Sequence, residues 1–508
     1  MKRAAIIQAM IDRADRHADT PAVGFEQKVV TCGEAVERAF AVGNALTAMG
    51  VQAADRVAIM LPNGLEFLDT YFGLAAIAGA AVPVNIAQRG ETLRHILEHS
   101  EAQVIVIDQG LVGILDEAWP DHRLRTVVVG DHPPPGAVPY AELAAGSTAP
   151  PEISIGDSEP IGILYTSGTT GPPKGVVADG YDLEPARILL GHVGAQPGET
   201  VYTCLPLFHG NALMLSAMGS IHNDWILRLG RKFSASRFWD EVRGSRAVSF
   251  TALGAMIPIL LKATPSDTDR DHDVRTVISA ACPAWVWREF EERFGVRIVE
   301  FYGMVDSPGL LINAEGRVGA MGRAVAGVEF QVVANDQPVP DGTVGELVFR
   351  HPSGPLTHYH RDPEASEQAY RGGWFHSGDL ATRDTDGYFT YCGRLKESIR
   401  RRGENISAWE IETVVNQHPS VRESAAHAVP SELGEDDVKV VVVLESGQVI
   451  DPAGIVRFCQ GRMADYAVPR YVDFRSELPK TETHRILYQV LRERGIAEGS
   501  YDRENANA

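Results

Sequence analysis

Short, largely apolar runs alternate with longer stretches whose apolar residues recur every three or four positions, and this alternation fills the first third of the chain. The runs at 56–60 (RVAIM), 81–84 (AVPV), 104–108 (VIVID) and 126–129 (TVVV) predict buried strands. Before and between them, 34–49, 64–80 and 91–100 predict helices, the first stopped by Gly50. Strands separated in this way by helices belong in parallel sheets with crossover connections, so the fold class is α/β. Residues 131–159, rich in Pro, Ala and Ser, read as a surface connection. Much later, 438–444 (VKVVVVL) and 471–474 (YVDF) predict strands of a further region.

Composition narrows the class. A chain of 508 residues is too long for one core and predicts two or more domains. No uncharged apolar run approaches about 18 residues, so no membrane span is expected. The opening stretch, MKRAAIIQAMIDRADRHAD, holds too short an apolar run for a signal peptide. Cys32, Cys204, Cys282, Cys392 and Cys459 are scattered, offer no zinc spacing and suit a reducing, cytoplasmic compartment. A formal charge of -20 argues against a nucleic-acid partner. It also opposes anionic ligands in general, so any phosphate site must rely on local donors, with salt screening the distant field beyond about 10 Å.

Such donors are concentrated at 165–177, YTSGTTGPPKGVV, directly after the apolar run IGIL at 161–164. Its glycines let the backbone turn sharply and aim N–H groups at an anion. Thr166, Ser167, Thr169 and Thr170 add hydroxyls, and Lys174 adds a positive charge. The pattern is a phosphate cradle but not a Walker A loop, because Gly175 follows Lys174 where Ser or Thr would be required.

This loop resembles the phosphate-binding loop of the adenylate-forming superfamily, in its acyl-CoA synthetase branch, and the likeness runs from about Asn63 to Arg494. The resemblance implies two half-reactions. A carboxylate attacks the α-phosphate of ATP to give acyl-AMP, and a thiol, usually that of CoA, then displaces AMP. It also implies a large N-terminal acyl/AMP-binding domain with parallel-rich sheets, 1–395, and a small mobile C-terminal α+β domain, 396–508, hinged near Lys396.

Residue by residue, the resemblance assigns the nucleotide phosphates to Thr166, Ser167, Gly168, Thr169, Thr170 and Lys174. His209, in PLFH, becomes a wall or gate of the carboxylate pocket. Small Gly210, Ala212 and Gly254 beside it leave room for a bulky acid. Ala280, Ala281 and Cys282 lay backbone against adenine, on which Tyr302 stacks beside Gly303. Asp379, in WFHSGDL, accepts the ribose hydroxyls, and Arg394 holds ribose or phosphate. Gly403 and Glu404 line the thiol tunnel. Asp306 helps hold Mg²⁺ at the phosphates of ATP.

The chain departs from the family pattern where triphosphate is handled. The closing LPKTxTGK reads LPKTETHRI at 478–486, with His484 for glycine and Arg485 for the catalytic lysine. A guanidinium is planar and wide where an ammonium is compact, so the exchange is not conservative. The YGxTE motif becomes Tyr302-Gly303-Met304-Val305-Asp306. Val305 removes a phosphate donor, and Asp306 carries its charge on an arm one methylene shorter; Ser307 is a partial substitute for the hydroxyl. The groups assigned to adenine, ribose and the thiol tunnel remain. These changes predict weak or absent adenylation with thioester formation retained, using CoA and an acyl-AMP supplied by a separate adenylating enzyme; ATP and Mg²⁺ serve only where adenylation survives. A complete ATP-dependent synthetase using Arg485 or Lys480, a catalytically silent adenylate-binding homologue, and a carrier-protein loader are the alternatives these residues leave open.

Overall fold

The computed structural model describes residues 4–152, 162–166, 173–178, 184–254, 256–352, 354–395, 398–401, 404–431, 436–460, 462–463, 467–481 and 485–504. The chain divides into two compact units, Met1–Glu329 with Arg350–Phe375, and Phe330–Phe349 with His376–Ala508.

The first unit carries the predicted α/β architecture. Ala80–Pro83, Arg56–Met60, Val104–Asp108, Arg125–Val129 and Val138–Pro139 form an all-parallel sheet in that order. The segment expected to be a surface connection is more structured than its composition predicts. It supplies the Val138–Pro139 strand and a helix, Tyr140–Ala144, whose Tyr140 and Leu143 are buried three residues apart. Proline there sits at a sheet edge and a helix start, where its missing N–H costs nothing.

Helix α1 (Gly90–His99) buries Leu93, Ile96 and Leu97 and turns His95 and His99, one turn apart, to another face. Strands β1 (Ile163–Thr166) and β2 (Lys174–Ala178) pair antiparallel, Thr166 opposite Lys174. The larger sheet of this unit contains β3 (Ala247–Leu253), β4 (Thr276–Ala280), β5 (Arg297–Met304) and β6 (Ser307–Asn313). Its order is Arg323–Ala324, β6, β5, β4, β3, Thr200–Thr203, Ile226–Leu229, Pro21–Phe25, Lys28–Thr31. The interior pairings are parallel, whereas β5–β6 and both edges are antiparallel. Helix α2 (Ala284–Phe294) makes the crossover from β4 to β5 and buries Val286, Trp287, Phe290 and Phe294 on one stripe. Strand β7 (Thr357–Tyr359) adds antiparallel to β2.

The second unit is α+β. A five-stranded sheet includes the antiparallel pair β8 (Phe375–Arg383) and β9 (Phe389–Arg394). Val421–Pro430, Asp436–Leu444, Tyr471–Phe474 and Tyr501–Asp502 form a second sheet, backed by Ala408–Val415 and Pro452–Cys459. Among the described residues no helix is long and apolar enough to cross a membrane. All five cysteines are free thiols.

Candidate functional site

The loop expected to cradle phosphate is framed at both ends. Thr166 closes β1 against Lys174 at the start of β2, while Ser167, Gly168, Thr169 and Thr170 lie outside the described residues. Gly175 is glycine for packing: a Cβ there would stand 2.7 Å from Ile163 Cγ2 and 3.0 Å from the Tyr165 ring. Three histidines brace the hairpin. His95 Nε2 lies 3.1 Å from the Pro173 carbonyl, His99 Nδ1 lies 2.8 Å from the Tyr165 hydroxyl, and the His360 backbone N–H donates to Gly175 O at 2.7 Å. Burial, followed by neighbouring cations and imidazoles, holds His99 below its ordinary pKa, and burial does the same for His360.

The turn after β4 is built by a residue the sequence did not single out. Glu300, on β5 and only 4% exposed, accepts the Ala281 N–H and, at 3.1 and 3.2 Å, the Cys282 N–H. Those bonds hold Ala281 at φ 67°, a left-handed conformation that costs a non-glycine residue on the order of 1 kcal/mol or more. Desolvation outweighs the amide donors and pushes the Glu300 carboxyl up to about 8. The turn in turn dictates Gly254, where a Cβ would stand 1.8 Å from the Ala281 carbonyl oxygen. Gly254 therefore does not leave room for a bulky acid; Ala281 fills that space. Gly210 has the same character, since a Cβ would meet Val305 Cγ2 at 3.0 Å, and Ala212 is wholly buried in the core.

His209 sits at the end of a loop pinned from below. The buried Asn63 donates to the carbonyls of Leu205 and Gly230, both at 2.9 Å, and accepts the Leu207 N–H at 2.9 Å. Phe208 and His209 follow, ring centroids 4.7 Å apart, and a π-helix, Asn211–Met218, begins two residues on.

Tyr302 and Gly303 lie on β5, opposite Leu311 and Leu310 of β6. At the tip of this strand pair Asp306 is half-buried and held twice from β7. Tyr359 donates its phenol hydrogen to Asp306 Oδ1 at 2.9 Å, and Thr357 Oγ1 donates to the Asp306 backbone carbonyl. The ring of Tyr359 also lies under the Lys174 ammonium, 4.8 Å from its centroid.

In the second unit Asp379 and Arg394 face each other across β8 and β9, with Arg394 Nε 2.8 Å from Asp379 Oδ1. Ser377 Oγ accepts the Asp379 N–H at 3.0 Å. Lys396 and Gly403 lie outside the described residues, and Glu404 begins the strand Glu404–Ser407. Arg485 is exposed; its carbonyl accepts the Thr481 N–H at 2.8 Å, and its own N–H donates to the Thr481 hydroxyl at 3.1 Å. Lys480, the nearby lysine, is ion-paired with Glu423.

The chain that builds these elements is similar to known proteins. The profile of the AMP-binding enzyme family covers residues 11–359, and that of the AMP-binding enzyme C-terminal domain covers 410–485. Over 469 residues the chain is 31% identical to crotonobetaine/carnitine–CoA ligase of Salmonella enteritidis PT4, spanning 88% of this chain and 90% of that one. The chain belongs to the AMP-binding enzyme family. Within the adenylate-forming superfamily it falls in the acyl-CoA synthetase branch. ATP-bound MatB from Rhodopseudomonas palustris superposes with a TM-score of 0.86 at 26% identity, over 96% of this chain and 98% of that one. The anthranilate CoA ligase AuaEII, solved with anthranoyl-AMP, has the same fold, with a TM-score of 0.88 at 24% identity and 97% coverage of each chain.

Asp306, the residue expected to meet Mg²⁺, offers a single half-buried carboxylate whose Oδ1 accepts the Tyr359 hydroxyl. Mg²⁺ keeps most of its waters and needs only one or two protein carboxylates plus substrate phosphates. Among the described residues, the one group of carboxylates and histidines close enough to converge on an ion is Asp336, Glu346 and His376, and it does not include Asp306. Glu300, Tyr359 and Asn63 were the site residues that motif reading missed. Glu300 did carry a signal, a lone acid inside the apolar run RIVEFY; Tyr359 carried none, because its partners are 53 and 185 positions away (359 − 306 and 359 − 174).

Proposed function

We propose that this AMP-binding enzyme joins an acyl group to the thiol of CoA, taking the acyl group from an acyl-adenylate and making that adenylate itself only slowly. The observation that carries the reading is the replacement at Arg485. The guanidinium stands where the family has the lysine of adenylation, and the one lysine close by, Lys480, is committed to Glu423. Val305 and Asp306 weaken the same half-reaction from a different segment, by one lost donor and one shortened arm.

Thioester formation draws on other groups. The Ala280–Cys282 turn and Tyr302 hold adenine, Asp379 and Arg394 hold ribose and phosphate, and His209 walls the acyl carbonyl. The small domain, hinged near Lys396, turns Gly403 and Glu404 toward the thiol. The thiol gives up its proton to solvent, its sulfur attacks the acyl carbon, the bond from that carbon to the phosphate oxygen breaks, and AMP leaves with the electron pair. Identity to CoA ligases and the retention of these residues support this reading.

The test runs two assays side by side on the full chain: free acid with ATP, Mg²⁺ and CoA, and the synthetic acyl-AMP with CoA. Because the acyl group is unassigned, a panel of aryl and short-chain acids is used. Product from the adenylate at a rate about a hundredfold above that from acid and ATP is the expected outcome. Equal rates would make the protein a complete synthetase, and tight adenylate binding without product a silent homologue. Arg485→Lys is expected to raise ATP-dependent turnover at least tenfold, about 1.4 kcal/mol of transition-state stabilisation.

A further inference from the structure

Strand β7 presents alternate residues to one place. Thr357 and Tyr359, two apart and therefore on one face of the strand, both reach Asp306, the first through its backbone carbonyl and the second through its side chain. Thr357 Oγ1 is itself paired with the Tyr370 hydroxyl at 2.9 Å, so the arm that grips the Asp306 backbone is held from behind. Tyr359 reaches in two directions. Its hydroxyl donates to Asp306 Oδ1 at 2.9 Å, and its ring lies 4.8 Å beneath Lys174 Nζ.

We propose that Tyr359 is a positioning residue for the triphosphate: one side chain fixes the spacing between the cation of the phosphate loop and the carboxylate that meets the metal ion. This rests on the nucleotide-binding reading above and adds to it a residue that touches neither substrate nor ion. An aspartate arm has a single methylene, so its carboxylate is placed chiefly by its own backbone and its hydrogen bonds. Thr357 sets the first and Tyr359 the second. A carboxylate accepts at several lone-pair sites, so the phenol bond at Oδ1 orients the group and leaves it acceptors for an ion. Lys174 gains from the ring face a cation–π attraction, which restrains a long and otherwise mobile stem.

The two halves of the device separate by mutation. Tyr359→Phe keeps the ring under Lys174 and deletes the donor to Asp306; Tyr359→Leu deletes both. Each full-length variant is titrated calorimetrically with AMP and with a non-hydrolysable methylene analogue of ATP, across a range of Mg²⁺ concentrations. For Tyr359→Phe, AMP affinity is expected to stay within twofold of wild type, while the Mg²⁺ concentration giving half-maximal analogue binding rises threefold to tenfold. For Tyr359→Leu, analogue affinity is expected to fall further, even at saturating Mg²⁺. Unchanged Mg²⁺ dependence, tighter Mg²⁺ dependence, or an equal loss of AMP and analogue binding would each overturn the proposal, the last by reducing Tyr359 to a packing residue. Wild-type protein that binds AMP but no analogue overturns it as well. Wild-type protein that binds neither removes the nucleotide reading itself, a result distinguishable from the others before any variant is made.

Discussion

Strand β5 carries one acid within it and a second in the turn at its far end, and the two are held by different kinds of partner. Glu300 is buried and its acceptors are filled by backbone N–H groups of Ala281 and Cys282, which no side-chain replacement can remove. Six residues on, Asp306 is half-buried and its restraints come from the side chains of Thr357 and Tyr359. The departures from the family pattern in this segment, Val305 and Asp306, fall at the second end. A site built on main-chain amides is rigid and nearly indifferent to neighbouring sequence. A site built on side chains can be retuned residue by residue, and it is at this second end that the chain departs from the family motif.

The sharpest way to break that contrast is at the rigid end. Gly254→Ala would drive a methyl to 1.8 Å from the Ala281 carbonyl oxygen and 2.7 Å from its carbon, backbone atoms pinned by Glu300. A loss of about 3 kcal/mol or more in stability is expected, with AMP affinity falling alongside it. Thermal unfolding and AMP titration read both. An unchanged melting temperature would mean the turn yields freely, and the contrast between the two ends would dissolve.

A gentler test keeps the shape and changes the acceptor. Glu300→Gln retains one carbonyl oxygen for the turn but sets an amide N–H₂ against the Cys282 N–H. AMP affinity is expected to fall about threefold to tenfold, while binding of free acid is unaffected. The pH dependence gives a second signature. The folded carboxyl is pushed up to about 8 from an ordinary 4.5, so the folded state keeps its proton where the unfolded chain has lost it. Stability from this group is therefore fully present below about pH 4.5 and declines as pH rises through 8. Wild type is expected to lose melting temperature between pH 6 and pH 9 more steeply than Glu300→Gln; parallel profiles would show that Glu300 ionises normally.

The sequence displayed the parts whose physics is local. Apolar runs such as RVAIM and VIVID specify parallel strands because both faces are buried, and Arg56–Met60 and Val104–Asp108 lie where those runs predicted. Register partners such as Asp379 and Arg394 were both named from short motifs, yet only the β8–β9 pairing shows them facing each other. The helix Tyr140–Ala144 was hidden by the prolines around it, since composition weighs Pro without knowing that its missing N–H falls at an edge. Gly254 was legible as small but not as crowded: a glycine reads the same whether it leaves a space or admits a backbone, and here it admits Ala281.

The smallest expected effect tests the side-chain-held end through its histidines. His99 faces Tyr165, His95, His360, Arg361 and Asp362. His360 faces Glu101, which is itself paired with Arg56 at 3.1 Å and Arg361 at 3.2 Å. Burial keeps His99 and His360 below the ordinary 6.5, so on acidification the unfolded chain takes up protons before these rings do in the fold. The brace behind the phosphate loop is thus intact above about pH 6.5 and loses stability as pH falls through the lowered pKa values. Both rings are partly open to solvent, which screens the effect, and a melting-temperature loss of about 1–2 °C between pH 7 and pH 5.5 is expected from the pair. His99→Gln, which keeps a hydrogen-bonding partner for the Tyr165 hydroxyl and cannot take up a proton, should flatten part of that loss. It should also leave AMP affinity at pH 7.5 unchanged, because the imidazole is neutral there and the loop is already braced. A variant that weakened AMP binding equally at both pH values would show that the histidines support the hairpin by packing alone, independent of their charge.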